Sequence, residues 1–253
     1  MKEHKFYTAG HTSALKHAVS ALSRQGFSFS QFPNESVTHL LLPVPSFQAD
    51  GTIIGGGVPN ELLDTLSPNT VIIGGNLKHP CVSEFPKWDL LQDPNYLAQN
   101  ASITAHCAVK LALSHLPVIL PSCPVLIIGW GRIGKCLADL LKSMGAAVTV
   151  AARNPQDRAM LSALGYNAAE ITAAAANIYD FRIIFNTVPT MVYSQEIMTN
   201  CRPDCLKIEL ASAPGIGGMD IVDGRGLPSK YAPESSGILI ANTIMSYMKG
   251  AMS

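Results

Sequence analysis

The chain has 253 residues, 47% of them hydrophobic and only 14% charged, with 18 Lys and Arg against 18 Asp and Glu. That length holds two modest domains with real cores, and balanced charge without a basic run argues against nucleic acid or an anionic membrane as the main partner. No stretch approaches the ~20 apolar residues of a membrane span, and the opening "MKEHKFYTAGHTS" lacks the apolar core of a signal peptide, so a cytoplasmic location is expected.

Short, apolar, β-branched runs at 5–10, 38–44, 70–75, 125–130, 147–152, 182–187 and 206–212 predict strands covered on both faces. Helical patterns at 12–24, 133–144, 157–164 and 194–200 lie between them, and such alternation predicts an α/β fold with parallel sheets. A longer helical pattern at 100–116 breaks the alternation, and the turn cluster "PSCP" at 121–124 precedes the second set of strands. Two domains are expected, 1–100 and 101–233. A C-terminal helix at 234–253, with Ile238, Ala241, Met245 and Met248 as its apolar stripe, is expected to rejoin the first domain. The glycine clusters at 51–57 and 214–220 read as loops. Cysteines stand at 81, 107, 123, 136, 201 and 205 without a CxxC pair, so reduced, mostly buried thiols and no metal site are expected.

The segment with the clearest chemistry is "VLIIGWGRIGKCLADLLKSMG", 125–145. A buried strand runs into Gly129, Gly131 and Gly134, and a helix follows with Ile133, Cys136, Leu137, Leu140, Leu141 and Met144 on one face until Gly145 stops it. Glycines at this spacing permit a tight turn, backbone approach to a pyrophosphate and close helix–strand packing. The free N–H groups of the helix start, at Arg132 and Ile133, attract phosphate. A dinucleotide site is therefore expected. The next strand ends "VAARN", without the acid that holds the ribose 2′-OH of NAD. Arg153 stands there instead, with Arg158 nearby, and a guanidinium suits the 2′-phosphate of NADP. At the carboxyl ends of other strands, Thr187 and Pro189 are expected beside the nicotinamide half, with Ser212 and Ala213 nearby. Ser46, Asn76, Ser212 and Lys230 are the substrate candidates, as groups suited to carboxylates. His79 is the weak candidate for an acid or base; His106 and His115 read as the polar face of a helix. The catalytic residue itself is not legible.

"GWGRIG" (129–134), "AAR" (151–153), "NTVP" (186–189), "ELASAPG" (209–215) and "GLPSKYAPESSGILIANTI" (226–244) together resemble the A subunits of dipicolinate synthases from endospore-forming bacteria. "HLLLPVPSFQADGTI" and "LAQNASITAHCAVKLAL" extend the resemblance over nearly the whole chain. It implies the two-domain architecture of D-2-hydroxyacid dehydrogenases, with a flavodoxin-like N-terminal domain and a Rossmann dinucleotide-binding domain. It also implies NADP-linked oxidation of a cyclic dihydro- or hydroxytetrahydrodipicolinate during sporulation, and partnership with a flavoprotein-like B subunit. By analogy with such dehydrogenases a homodimer is expected. The chain departs from the pattern at Ala213, where many relatives carry Arg, and at Glu234, where Lys is common. Lys230 and Lys78 are the substitute cations. The stretch between "GGMD" and "GLPSK" is short and is expected to lack a strand of longer members. The Arg–Glu–His set of hydroxyacid dehydrogenases is not evident. Oxidation of another small acid, and a non-catalytic NADP-binding role, stay open as alternatives.

Overall fold

A computed structural model describes residues 4–250. The chain divides into two compact units, one formed by the residues up to Asn100 together with those from Pro228 onward, the other by Ala101–Leu227.

The first unit starts with β1 (Lys5–Thr8), α1 (Ser13–Arg24), β2 (Ser28–Phe29), β3 (His39–Leu41), α2 (Pro59–Leu63), β4 (Val71–Gly74) and β5 (Lys87–Asp89). Its parallel sheet runs β2-β1-β3-β4-β5, the flavodoxin-like order. Phe6, Leu40, Ile72 and Ile73 are fully buried, as strands covered on both faces require. One core gathers Val37, Leu40, Leu42, Ile53, Leu63, Leu66, Ile72, Leu77 and Val82. Buried within β3, His39 stacks on Phe6 at 4.8 Å and shares a 2.8 Å hydrogen bond with the Thr38 hydroxyl.

α3 (Pro94–His115) begins six residues before the expected 100. Asp93 explains the early start: its Oδ1 accepts the backbone N–H groups of Asn95 and Tyr96 at 2.8 and 2.9 Å, and Pro94 suits the first helical position.

The second unit continues with β6 (Pro124–Ile128), α4 (Arg132–Ser143), β7 (Ala147–Ala151), α5 (Pro155–Ala163), β8 (Asn167–Ala169), α6 (Ile171–Ala176), β9 (Ile183–Asn186), α7 (Gln195–Met198), β10 (Leu206–Glu209) and β11 (Ile221–Asp223). All strands are parallel, in the order β11-β10-β9-β6-β7-β8. Counted from β6, this is 6-5-4-1-2-3, the order of a Rossmann fold read from the other edge. Leu126, Ile128, Ile184, Tyr193, Met198, Cys205 and Ile216 belong to one of its core clusters. β11 lies in the stretch expected to lack a strand, and it pairs with β10 through Ile208↔Val222.

α8 (Leu227–Tyr231) and α9 (Pro233–Gly250) follow. α9 packs against α1. The contact depends on Gly237, because a Cβ there would strike the Ala14 carbonyl oxygen, sit 2.5 Å from His17 Cβ and 2.8 Å from Ala18 N. Residues 251–253 of the expected helix lie outside the described residues. No helix among the described residues is long and apolar enough to cross a membrane.

Candidate dinucleotide site and its supporting loops

The second unit's sheet delivers its chemistry where β6 ends. Gly129 leaves the strand with φ +104°, a left-handed conformation that favours glycine. A Cβ there would lie 2.5 Å from Thr187 Oγ1 and 2.8 Å from Val188 Cγ2. Gly134 is pressed against the Gly129 carbonyl oxygen, again without room for a side chain. Gly131 differs: it is exposed, its φ of −78° is ordinary, and a Cβ would meet nothing within 4 Å. Two glycines thus close the turn, while the third leaves open space above the backbone. α4 starts there without a side-chain cap, so its first N–H groups face outward with their partial positive charge. An anionic phosphate fits that exit.

The end of β7 is built for a different neighbour. Ala151 and Ala152 are buried and Arg153 is exposed, and among the described residues no hydrogen bond or ion pair holds its guanidinium. Arg158 Nη1 donates to the carbonyls of Ala152 (2.9 Å) and Arg153 (2.7 Å), so it braces the turn rather than reaching for a ligand. Asn154 caps α5 by accepting from Gln156 N–H at 3.0 Å. On the neighbouring strand, Glu170 stands just past β8 and accepts from the Thr172 hydroxyl.

A buried pair that the sequence pattern does not reveal holds the remaining loops. Glu209, 5% exposed at the end of β10, accepts from Asn186 Nδ2 (2.7 Å) and Ala211 N (2.9 Å) on one oxygen. Its other oxygen accepts from Gly215 N (2.9 Å) and Ile216 N (3.4 Å). Four donors spread the negative charge, which is what makes a buried carboxylate tolerable. Asn186 also donates to Val188 O and accepts from Val188 N. The pair therefore fixes both the 187–189 and the 211–216 segments. Thr187 Oγ1 donates to the Ile128 carbonyl at 2.8 Å and Pro189 is exposed, so these two candidates and Gly129 share one neighbourhood. Ser212 is exposed on the loop that Glu209 orders.

The candidates of the first unit fare differently. Ser46 is fully buried; its hydroxyl donates to Pro43 O (2.8 Å) and accepts from Gly75 N (3.0 Å), which commits it to joining two strand ends rather than to a substrate. Asn76 is exposed at φ +61°, a left-handed turn position that asparagine tolerates, and its N–H donates to Asp89. His79 stacks on Phe47 at 4.8 Å, and its Nδ1 meets Cys81 Sγ at 2.8 Å. Its Nε2 lies 2.7 Å from where a Gly51 side chain would start. The ring packs a loop and caps a short helical turn at Pro80–Val82. Lys78 lines a hollow of about 490 Å³ with Lys87, Asp89 and Asp93, where acids offset its charge. Lys230 is exposed, its ammonium 5.2 Å from the Tyr231 ring. His11 is a further residue that sequence reasoning missed. It is exposed just past β1, and the 53–57 loop packs on it so closely that a side chain at Gly55 would strike its backbone. The place has a signal: in the flavodoxin-like order, ligands sit at the β1/β3 switch point.

No protein-family model matches the chain. A curated relative, the dipicolinate synthase A subunit of Bacillus subtilis (strain 168), is 26% identical over 238 residues, 89% of this chain and 74% of the relative. The crystal structure of the dipicolinate synthase A subunit from Bacillus halodurans superimposes with a TM-score of 0.84 at 20% identity, covering 97% of this chain and 98% of that one. The chain is similar to the A subunit of dipicolinate synthase. A transhydrogenase from Sinorhizobium meliloti shares the fold more distantly, with a TM-score of 0.74 at 11% identity over 98% of this chain and 94% of that one.

Proposed function

We propose that this chain is an NADP-linked oxidoreductase subunit that oxidises a cyclic dihydrodipicolinate, or its hydroxytetrahydro precursor with loss of one water as well, to dipicolinate, in company with a flavoprotein-like B subunit. The sequence likeness to a dipicolinate synthase A subunit over 89% of the chain carries the reading. The open backbone at Gly131 and the uncapped start of α4 support pyrophosphate binding, and the unpartnered guanidinium of Arg153 supports NADP over NAD. Bound nicotinamide would accept the hydride. The chain's own residues then have to orient the ring and take up a proton, while aromatisation drives the step. For the proton we favour His11 over His79, since its exposure at the switch point leaves it reachable. A cytoplasmic homodimer completes the reading.

Ala213 in place of a cation favours a second reading, oxidation of a different small acid by the same machinery. One experiment separates them. The purified chain, with and without the flavoprotein, is mixed with NADP and an enzymatically generated dihydrodipicolinate precursor, and dipicolinate is followed by its ultraviolet absorbance. Product formation supports the first reading. NADPH binding without product in either mixture abandons it.

A further inference from the structure

The strands of the second unit's sheet are all parallel, so the segments that enter them gather at one end, opposite the glycine turn. Large apolar side chains stand exposed there: Ile119 before β6, Met144 before β7, Leu164 before β8, Tyr179 before β9 and Met219 before β11. Ile119 and Met219 are 75% and 79% exposed, the posture of contact residues without a contact. Hydrogen bonds tie these entry turns to one another. Lys142 Nζ donates to the carbonyls of Leu164 and Gly165 at 2.9 and 3.0 Å, Ser122 N–H to Gly145 O at 2.7 Å, and Arg182 N–H to Pro124 O at 2.9 Å. Apolar groups collected on one fixed surface mark a protein contact.

The charges at this end narrow the partner. Asp204, just before β10, accepts from Arg202 Nε at 2.5 Å and also from Arg182 Nη1. One carboxylate therefore faces two guanidinium groups, and Arg182 Nε is buried with no hydrogen-bond partner among the described residues. A positive charge is left over in this cluster, beside a hollow of about 510 Å³ lined by Val118, Ile119, Pro121 and both arginines. The neighbouring strand, β11, is entered through Met219 and Asp220, both exposed. Among the described residues Asp220 has neither hydrogen bond nor ion pair. A surplus cation with a hollow thus stands one strand, about 5 Å, from a surplus acid with a methionine. A two-fold contact demands that self-complementarity, because each residue meets on the partner copy the residue that meets it in return.

We propose, resting on the homodimer reading above, that this end of the sheet is the contact between two copies of the chain. Met219 of each copy enters the other's hollow beside Ile119, and Asp220 of each pairs with the other's Arg202. The apolar groups supply affinity and the charge pairs fix the register. Both glycine turns, at the far end of their sheets, stay clear for nucleotide.

Sedimentation equilibrium of the full chain measures the association. Wild type should be a dimer. Arg202→Glu and Asp220→Arg should each raise its dissociation constant roughly tenfold or more, since like charges then face each other. An equimolar mixture of the two variants should dimerise again, because a mixed pair sets an acid against a base at both contacts. Met219→Lys and Ile119→Glu form a second such pair that leaves the Asp204 cluster untouched. A monomeric wild type overturns this contact and the homodimer reading together. A dimer that all four changes leave intact, or mixtures no more associated than their components, overturns the contact alone.

Discussion

The Glu209 carboxylate accepts four hydrogen bonds and has almost no contact with water, and its cost and benefit both follow from that. Glu209→Gln keeps the shape but turns one oxygen into a donor facing donors, so a loss of roughly 2–3 kcal/mol in denaturant unfolding is expected. The motif "ELASAPG" shows the residue, but not its burial, because acids are rarely inside. The hint in the sequence is that Asn186 and Glu209 are polar residues set inside apolar runs. Arg153 stands out in the sequence for the opposite reason, as the absence of an expected acid. Arg153→Ala should weaken NADPH binding roughly tenfold or more, about 1.4 kcal/mol, while leaving NADH almost unchanged in fluorescence titrations; equal losses would remove the 2′-phosphate assignment. His39 makes stability depend on pH. Burial, with a smaller contribution from the nearby His4 charge, lowers it from 6.5 to about 4. The unfolded chain therefore binds the proton first. The contribution is complete above pH 6.5 and shrinks as the pH falls towards 4, by at most about 3 kcal/mol. His39→Phe should flatten that slope in unfolding curves collected across the window.

At the scale of elements, each of the seven apolar runs became a strand, and the four missed strands, β2, β5, β8 and β11, are the edges of the two sheets. An edge has one neighbour and a wetter surface, so its residues need not be apolar: β5 is "KWD" and β11 "IVD". Periodicity cannot find them. The turn into α4 was readable as a whole, but not the division of labour among its glycines, which the turn geometry reveals. Gly134→Ala should destabilise the fold by roughly 1–3 kcal/mol, since a backbone oxygen occupies the space. Gly131→Ala should leave thermal unfolding nearly unchanged, within about 0.5 kcal/mol, yet weaken NADPH binding, because its methyl would occupy the open approach. Equal effects of the two changes on unfolding would contradict this division.

For the whole molecule, alternation of strand and helix was enough to forecast parallel α/β architecture, whereas the two strand orders depend on crossovers that no local pattern encodes. The first unit is discontinuous, completed by α9 against α1. Gly237→Val should force these helices apart and raise amide exchange in β1, β3 and β4, with the strands of the second unit unaffected. Uniform change across both units would mean that they unfold as one. The same discontinuity sets a timetable for biosynthesis. Leu227 leaves the ribosome before α9 does, so the nucleotide-turn unit has its entire sequence while the earlier-made sheet still exposes the flank of α1. During that interval the nascent chain carries an apolar strip that chaperones could cover, and the final helix releases it from that need.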